Sequence, residues 1–213
     1  MTMTRSKASS KIGMFQRLPL LLLGCLISVT ALAESPNPVI EEAAVLLDEA
    51  VRGRREELEA DKEALYALID EILLPRFDRK YAAQLVLARH WRTASEEERE
   101  QFIDAFYNHL MQLYADAVLQ FDLEKLTVLP YRGDDTKKRT TVKTTMLLDD
   151  GTEVPVNYGM VKRDSGWLIF DVTIEGISYV RNFKAELNSE IQAKGLAGVI
   201  RRLEADAHEG ATE

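Results

Sequence analysis

The spacing of apolar residues changes twice along the chain, and this change restricts the fold more than any other feature of the sequence. From residue 39 to 121 apolar residues recur at helical spacing, whereas from 126 to 174 they alternate with a period of two. Helical spacing returns between residues 177 and 203. This order predicts an α+β domain in which several helices pack on one curved antiparallel sheet of about four strands or more.

Four helices are predicted before the first strand. The first covers residues 39–51, and the second carries an apolar stripe over residues 65–73 and ends before Pro75, which cannot continue a helix. A third is predicted from residue 76 to 91, with one face formed by Phe77, Tyr81, Leu85 and Ala88.

A capping box predicts where the fourth and longest helix begins. Ser95 and Glu98 have the spacing at which each side chain accepts a hydrogen bond from the other residue's backbone N–H. The apolar residues that follow predict an inward face made of Phe102, Phe106, Leu110, Leu113 and Ala117.

The alternating region predicts an antiparallel meander. Turn sequences at residues 149–151 and 164–166 separate its longer strands, and alternating apolar residues place one side of each strand inward. Two further helices are predicted over residues 177–191 and 196–203.

The N-terminus has the pattern of a secretory signal peptide. The first 33 residues contain four basic side chains and no acidic one. Within them, an apolar run of about 15 residues follows the last basic side chain and is too short to cross a bilayer. We predict cleavage between Ala33 and Glu34, and one domain over residues 34–213.

Cys25, the one cysteine, lies in the leader, although residues 22–25 also loosely resemble a lipoprotein cleavage box. The predicted mature chain therefore has no thiol for a disulfide or a metal.

Charge and motif content exclude several classes of function. The chain carries a net charge of −8, and loss of the four basic leader residues makes it more acidic, so nucleic acid is not an expected partner. His90, His109 and His208 lie on separate predicted elements, and no phosphate-binding or nucleophile motif occurs. The acidic pairs and runs fit a helix start and turns. We expect no metal, no cofactor and no enzymatic activity.

One polar group leaves two interpretations open. Asp171 and Glu175 end an apolar strand where the chain turns into a helix. Glu175 and Ser178 are predicted to cap that helix, with Asp171 bonded to a strand neighbour. The alternative is an isomerase- or hydrolase-type enzyme with a cone-shaped pocket, in which Asp171 performs proton chemistry with Tyr158 or Tyr179.

Residues 171–178, followed by Val180 and by residues 182–184, resemble the C-terminal signature of the MlaC-type family of toluene-tolerance auxiliary proteins. Residues 74–78, 86–87, 90–92 and 95–99 resemble its N-terminal signature in order and spacing. The resemblance covers nearly the whole predicted mature chain. At one position the family commonly has glycine where this chain has Ala88, a change we expect to leave the helix intact.

The resemblance implies a periplasmic phospholipid carrier without catalytic residues. Its implied partners are a phospholipid, an outer-membrane lipoprotein and porin complex, and an inner-membrane MCE-domain ABC transporter, and its role is to maintain the lipid asymmetry of the outer membrane. A ligand-free adaptor that holds two envelope proteins together is a further alternative.

A carrier needs an apolar pocket, and the predicted elements offer two walls for one. The residues by themselves fit a filled core as well, and the resemblance is what favours a pocket. The predicted lipid-binding residues are Phe77, Tyr81, Phe102, Phe106, Leu110, Val142, Met146, Val156, Tyr158, Ile169 and Val172.

Overall fold

A computed structural model describes residues 35–120, 122–134 and 136–209, so the predicted leader, its cleavage site and Cys25 lie outside the described residues. Six α-helices precede the first strand in this part of the chain, two more than predicted, because the short α2 and α5 have too few residues to show a period. They are α1 (Asn37–Val51), α2 (Arg55–Ala60), α3 (Lys62–Leu73), α4 (Arg79–Leu87), α5 (His90–Thr93) and α6 (Glu96–Gln120).

A five-stranded antiparallel sheet comes next, and the strands lie in the same order in space as in the chain. This arrangement confirms the predicted α+β class. The strands are β1 (Leu126–Val128), β2 (Arg139–Leu147), β3 (Glu153–Arg163), β4 (Gly166–Ile174) and β5 (Ile177–Ser178), and the helices α7 (Tyr179–Lys194) and α8 (Leu196–Glu209) complete the fold. None of the described helices is long and apolar enough to cross a membrane.

Polar side chains fix where the helices begin. The predicted capping box is confirmed: the Ser95 N–H donates to Glu98 Oε2 over 2.9 Å, and the Glu98 N–H donates to Ser95 Oγ over 3.1 Å. Asp61, Asp78 and Ser178 each accept a backbone N–H from the first turn of α3, α4 and α7. Each such cap contributes about 1 kcal/mol to helix stability.

The third predicted helix is wrong at both ends. Phe77 is extended and forms a bridge with Ile169, and the Asp78 N–H donates to the Ile169 carbonyl over 2.8 Å, so the backbone joins the edge of β4 before α4 begins. After Leu87 the helix stops, because Ala88 has φ +49° and ψ −110°. The expectation that Ala88 leaves the helix intact is therefore also wrong, because this conformation, which glycine adopts without strain, ends the helix.

A bulge and a tight turn shape the far side of the sheet. The register between β3 and β4 shifts at Gly159 and Met160, and such a bulge bends the sheet. Glu175 and Gly176 both have positive φ, as the two residues of a type I′ hairpin turn do, and they lead into β5. Ile177, predicted as the start of a helix, lies in β5, and α7 begins at Tyr179.

Apolar side chains gather in three regions of the described chain. The first, which we call the four-helix cluster, is the buried core shared by α4, α6, α7 and α8, and it contains Ala83, Val86, Leu87, Phe102, Ile103, Ala105, Phe106, Phe183, Leu187, Ile191, Val199, Ile200 and Leu203. The second, the sheet face, is the side of the sheet that carries Val142, Met146, Val156, Tyr158, Met160, Ile169, Val172 and Ile174. The third is a core that joins α1, α2 and α3 to the C-terminal half of α6.

One residue of the predicted inward face of α6 points to solvent. Leu113 is 52% exposed, whereas Phe102 and Phe106 on the same stripe are buried. Periodicity gives the side of a helix on which a residue lies, but it does not tell how far along the helix its neighbours extend. The prediction for Leu113 is wrong for this reason.

Candidate lipid-binding site

The six predicted pocket residues on the strands lie on the same side of the sheet. Val142 is paired with Tyr158 and Tyr158 with Val172, so these three form a row across β2, β3 and β4. Directly opposed residues in antiparallel strands point to the same side, and residues two apart in one strand do so as well. Met146 and Val156 therefore share this side, and Ile169 joins it because it is paired with Met160.

The sheet face is fully covered over β2 and over Met160 and Ile169, and it is only half covered over the adjoining parts of β3 and β4. Val142, Met160 and Ile169 are fully buried and pack in one cluster with Ile40 of α1, and Phe77 packs against this cluster. On the same side, β2 is buried along its length at Val142, Thr144 and Met146, whereas Val156 and Tyr158 of β3 and Val172 and Ile174 of β4 are half-buried. This part of the sheet therefore presents apolar side chains that the surrounding helices do not cover completely.

The hydroxyl of Tyr158 is removed from water although the residue as a whole is half-buried. Burial raises the pKa of its hydroxyl to about 12. The ring belongs to an apolar environment, with Val142 and Val172 as its neighbours in the row. Such a surface accepts hydrocarbon more readily than a charged group.

Three of the five pocket residues predicted from the helices, Phe102, Phe106 and Leu110, lie in the four-helix cluster, whereas Phe77 packs with the strand residues. Phe102 and Phe106 are stacked with their ring centres 5.4 Å apart, and Phe183 meets Phe106 edge-on at 5.2 Å. Leu110 is half-buried at the margin of this cluster. The two phenylalanines are thus enclosed by neighbouring side chains, and Leu110 is the one of the three with a partly open surface.

Tyr81 lies in a cationic environment. Its hydroxyl accepts a hydrogen bond from Arg139 Nη1 over 3.2 Å, and the Arg163 guanidinium lies 5.0 Å above its ring. Arg139 is an odd number of residues from Val142, so it points to the other side of the sheet. The structure does not bring Tyr81 together with the sheet face.

The sheet face also includes two residues that were not predicted to belong to the pocket. Ile174 is paired with Val156, and Met160 is paired with Ile169. Both follow the alternation already visible at residues 156, 158 and 160 and at residues 172 and 174, so the period of two was the signal that could have identified them.

An open groove of about 440 Å³ lies between α1 and β1, and because Leu126 is paired with Met146, the β1 side chains in this groove lie on the same side of the sheet as the sheet face. Its floor is apolar, with Ala44, Val45, Leu126 and Val128, and its walls include several acidic side chains. None of the eleven predicted pocket residues lines it. Arg52 pairs with Asp48 and Glu124 in this groove, and the remaining excess of acidic side chains disfavours an anionic headgroup at this position.

Asp171 holds the first turn of α7 instead of facing a pocket. Its Oδ2 accepts a hydrogen bond from Ser178 Oγ over 2.6 Å, and its Oδ1 accepts the Val180 N–H over 3.0 Å. Because Asp171 is paired with Gly159, whereas Tyr158 is paired with Val172, the carboxylate and the tyrosine lie on opposite sides of the sheet. The proton-transfer pair of the enzyme alternative is therefore not assembled with Tyr158.

Of the two residues predicted to cap α7, one does so and the other does not. Ser178 caps α7 by accepting the Arg181 N–H, as predicted. Glu175 does not cap the helix, because it lies in the exposed hairpin turn and its own N–H donates to the Pro155 carbonyl. The sequence suggested a cap because Glu175 precedes the helix closely, but the two residues of β5 separate it from α7.

Histidines and carboxylates form no metal-binding group in the described part of the chain. No group of three or more His, Cys, Asp or Glu side chains there could hold a metal ion. His90 Nε2 lies 3.0 Å from Asn188 Oδ1, and His109 Nδ1 lies 3.6 Å from Asp206 Oδ2. Burial, and next the charge of Arg202, lower the pKa of His109.

Comparisons with known proteins agree on one family. The family model described as MlaC protein matches residues 43–205. The toluene tolerance protein ttg2D of Pseudomonas putida is 25% identical over 185 residues, which cover 86% of each chain. The intermembrane phospholipid transport system binding protein MlaC of Haemophilus influenzae is 22% identical over 197 residues, 91% of this chain and 92% of that protein.

A solved structure shares the fold. A phospholipid-binding protein from Ralstonia solanacearum, determined in complex with a phospholipid, superposes with a TM-score of 0.74 at 23% identity. The alignment covers 84% of this chain and 99% of that one.

Proposed function

Because the chain belongs to the MlaC protein family, we propose that it binds a phospholipid with the acyl chains against the sheet face and the headgroup near the rim. The half-buried apolar side chains of Val156, Tyr158, Val172 and Ile174 on β3 and β4 are the observation that carries this proposal. The names of the relatives support it, since one is a phospholipid transport binding protein and a protein of the same fold holds a phospholipid.

The energetics of lipid transport favour such a surface. Each acyl methylene removed from water contributes about 0.8 kcal/mol, so a carrier must offer the chains an apolar surface of comparable extent. A half-covered sheet face can exchange contact with water for contact with an acyl chain without opening a filled core.

We further propose that the protein is a periplasmic shuttle. It would carry glycerophospholipid between an outer-membrane lipoprotein and porin complex and an inner-membrane MCE-domain ABC transporter. Family membership supports this role. The acidic net charge of −8 opposes adsorption to anionic membranes, so docking on partner proteins would guide the exchange.

Native mass spectrometry with lipid extraction tests the binding. The protein is purified from the periplasm without detergent, and a discrete added mass released as phospholipid is expected. Val156→Arg places a charge on the half-buried part of the sheet face and should reduce the lipid-bound fraction about tenfold or more. Thr141→Arg, on the exposed opposite side of β2, is the matched control and should retain lipid.

Two results would contradict the proposal. Full lipid occupancy in a Val156→Arg protein with a native circular dichroism spectrum would show that the sheet face is not the site. A lipid-free wild-type protein that also failed to take up phospholipid from vesicles would remove the carrier function and favour the adaptor alternative, which requires partner binding alone.

Asp171→Asn separates the carrier from the enzyme alternative. A carrier should keep lipid binding in this variant, because Asp171 serves the start of α7. Loss of a measurable turnover with lipid binding unchanged would support the enzyme instead.

A further inference from the structure

Three exposed apolar side chains lie around the start of α7, close to the sheet face. Ile177 is 63% exposed, Leu113 is 52% exposed and Tyr114 is 37% exposed. The ring of Tyr114 lies 4.8 Å from the ring of Tyr179, which joins α6 to the beginning of α7. Single exposed apolar residues are common on protein surfaces, whereas a contiguous group of them marks a site of interaction.

This group continues the sheet face. Ile177 is paired with Ile174, and Ile174 is paired with Val156, so one row of apolar side chains crosses β3, β4 and β5. The row is half-buried at Val156 and Ile174 and reaches solvent at Ile177. The sheet face thus opens to the exterior at the β4–β5 hairpin.

The apolar stripe on α6 also becomes exposed to solvent near the start of α7. Phe106, Leu110, Leu113 and Tyr114 follow one helical face, and they change from buried through half-buried to exposed along the helix. Burial, and then the neighbouring Tyr179, raise the pKa of Tyr114 to about 12. The stripe on α6 therefore ends at the contact between Tyr114 and Tyr179, and the row on the sheet ends at Ile177, two residues before Tyr179 in the chain.

The hydrogen bonds that hold the β4–β5 hairpin do not involve the exposed apolar side chains. The turn residues Glu175 and Gly176 set the direction of β5, and Asp171 bonds both Ser178 and the backbone of Val180. Ile177 contributes little burial to this arrangement. Its exposed side chain is therefore available to a ligand without unfolding the hairpin.

We propose that Leu113, Tyr114, Ile177 and Tyr179 form the mouth through which the acyl chains of a phospholipid pass between the sheet face and the exterior. This inference rests on the proposed function. An acyl chain is the occupant that fits, because the group is apolar and joins the proposed binding surface through the paired row of Ile177, Ile174 and Val156.

A covalent crosslink between the two helices that flank the mouth tests the proposal. In Tyr114→Cys/Tyr179→Cys, a short bismaleimide links α6 to α7, and the predicted mature chain has no other cysteine to react. The measurement is the rate at which the protein exchanges a fluorescent phospholipid with vesicles of phosphatidylethanolamine and phosphatidylglycerol. Linking should slow exchange about tenfold or more, while native mass spectrometry still finds the lipid that was bound before the reaction.

The matched control is His90→Cys/Asn188→Cys. These side chains lie 3.0 Å apart and join α5 to α7, so the same reagent ties α7 away from the mouth. Exchange in the linked control should equal that of the unlinked protein. An equal loss of exchange in both linked proteins would overturn the mouth, because it would show that exchange needs movement of α7 as a whole.

The outcomes separate the mouth from the binding function. Exchange that continues unchanged in the linked Tyr114→Cys/Tyr179→Cys protein would overturn the mouth and leave lipid binding standing. Failure of the unlinked protein and the wild type to take up any phospholipid would reject both. Ile177→Asp is a second test on an exposed side chain, and it should slow exchange several-fold without lowering the melting temperature.

Discussion

The four-helix cluster and the sheet face differ in how completely their apolar side chains are covered. In the cluster, Phe102, Leu187 and Leu203 have almost no contact with solvent, and aromatic rings fill the space between the helices. On the sheet face, burial is complete at Val142 and falls to half at Val156. Both regions are formed mainly by apolar side chains.

This contrast divides two tasks between two parts of the molecule. A filled core gains free energy from every contact and loses it when any side chain is shortened. A half-covered surface gains less, but it can bind a ligand without disrupting the fold. We infer that the helices supply most of the stability and that the sheet face is available for binding.

Shortening a side chain in each region is the strongest test of the contrast. Phe106→Ala should lower the free energy of unfolding by about 3–5 kcal/mol, because a buried ring between Phe102 and Phe183 is lost. Val156→Ala should cost about 1 kcal/mol or less, because its side chain is already half exposed. Urea unfolding of both variants measures the difference, and equal losses would show that the sheet face is as much a packed core as the cluster is.

A stabilising change should also be available beside the four-helix cluster. Ala88 holds φ +49° directly after the buried Leu87, a conformation that costs an L-residue about 1–3 kcal/mol. Ala88→Gly removes that strain but adds freedom to the unfolded chain, so a net gain of about 1 kcal/mol is expected. A shift of the urea midpoint to higher concentration, with an unchanged slope, would establish it.

A second stabilising substitution is expected in the β4–β5 hairpin, at the edge of the sheet. Glu175 has φ +50°, which asparagine tolerates better, so Glu175→Asn should add about 0.5 kcal/mol. Loss of stability in Ala88→Gly with a gain in Glu175→Asn would mean that the end of α4 is not strained.

The smallest expected effect is a dependence on pH that originates in the four-helix region. His109 faces Asp206 and Arg202 of α8 and Glu186 and Glu190 of α7, and its pKa is lowered from 6.5 chiefly by burial. The unfolded chain therefore binds a proton more readily, so stability should fall as the pH drops from about 6.5 towards the lower pKa of the folded state.

Comparison with His109→Gln isolates this contribution. The wild type should lose more stability than the variant between pH 7 and pH 5, measured as the urea midpoint at each pH. On the sheet face, Tyr158 does not titrate over this range, since burial moves its pKa upward, further from it. Identical pH profiles for the two proteins would show that His109 is solvated in the folded state.

Local signals in the sequence predicted much of the fold. The box of Ser95 and Glu98 located the start of α6, and alternation between residues 142 and 174 located β2, β3 and β4. The break at Ala88 was missed because alanine is a good helix former, and only the surrounding structure imposes a positive φ on it. The two-residue β5 is too short to show a period.

The candidate site was predictable only in part. Alternation identified which strand residues share the sheet face, and the register bears this out for Val142, Tyr158 and Val172. It could not separate a filled region from a half-covered one, because Phe106 and Val156 have the same apolar character and differ in what packs over them. Tyr81 was assigned to the pocket by helical spacing, but its place beside Arg139 depends on a strand far away in the sequence.

The order of the strands also governs how the molecule folds. Every strand of the sheet is paired with its neighbour in the chain, so hairpins β2–β3 and β3–β4 can form from short loops at low entropic cost. The bridge between Phe77 and Ile169 joins distant parts of the chain and should form later. We expect the sheet to nucleate first and the edge of β4 to be closed last, so a newly made chain exposes this edge until α4 has docked.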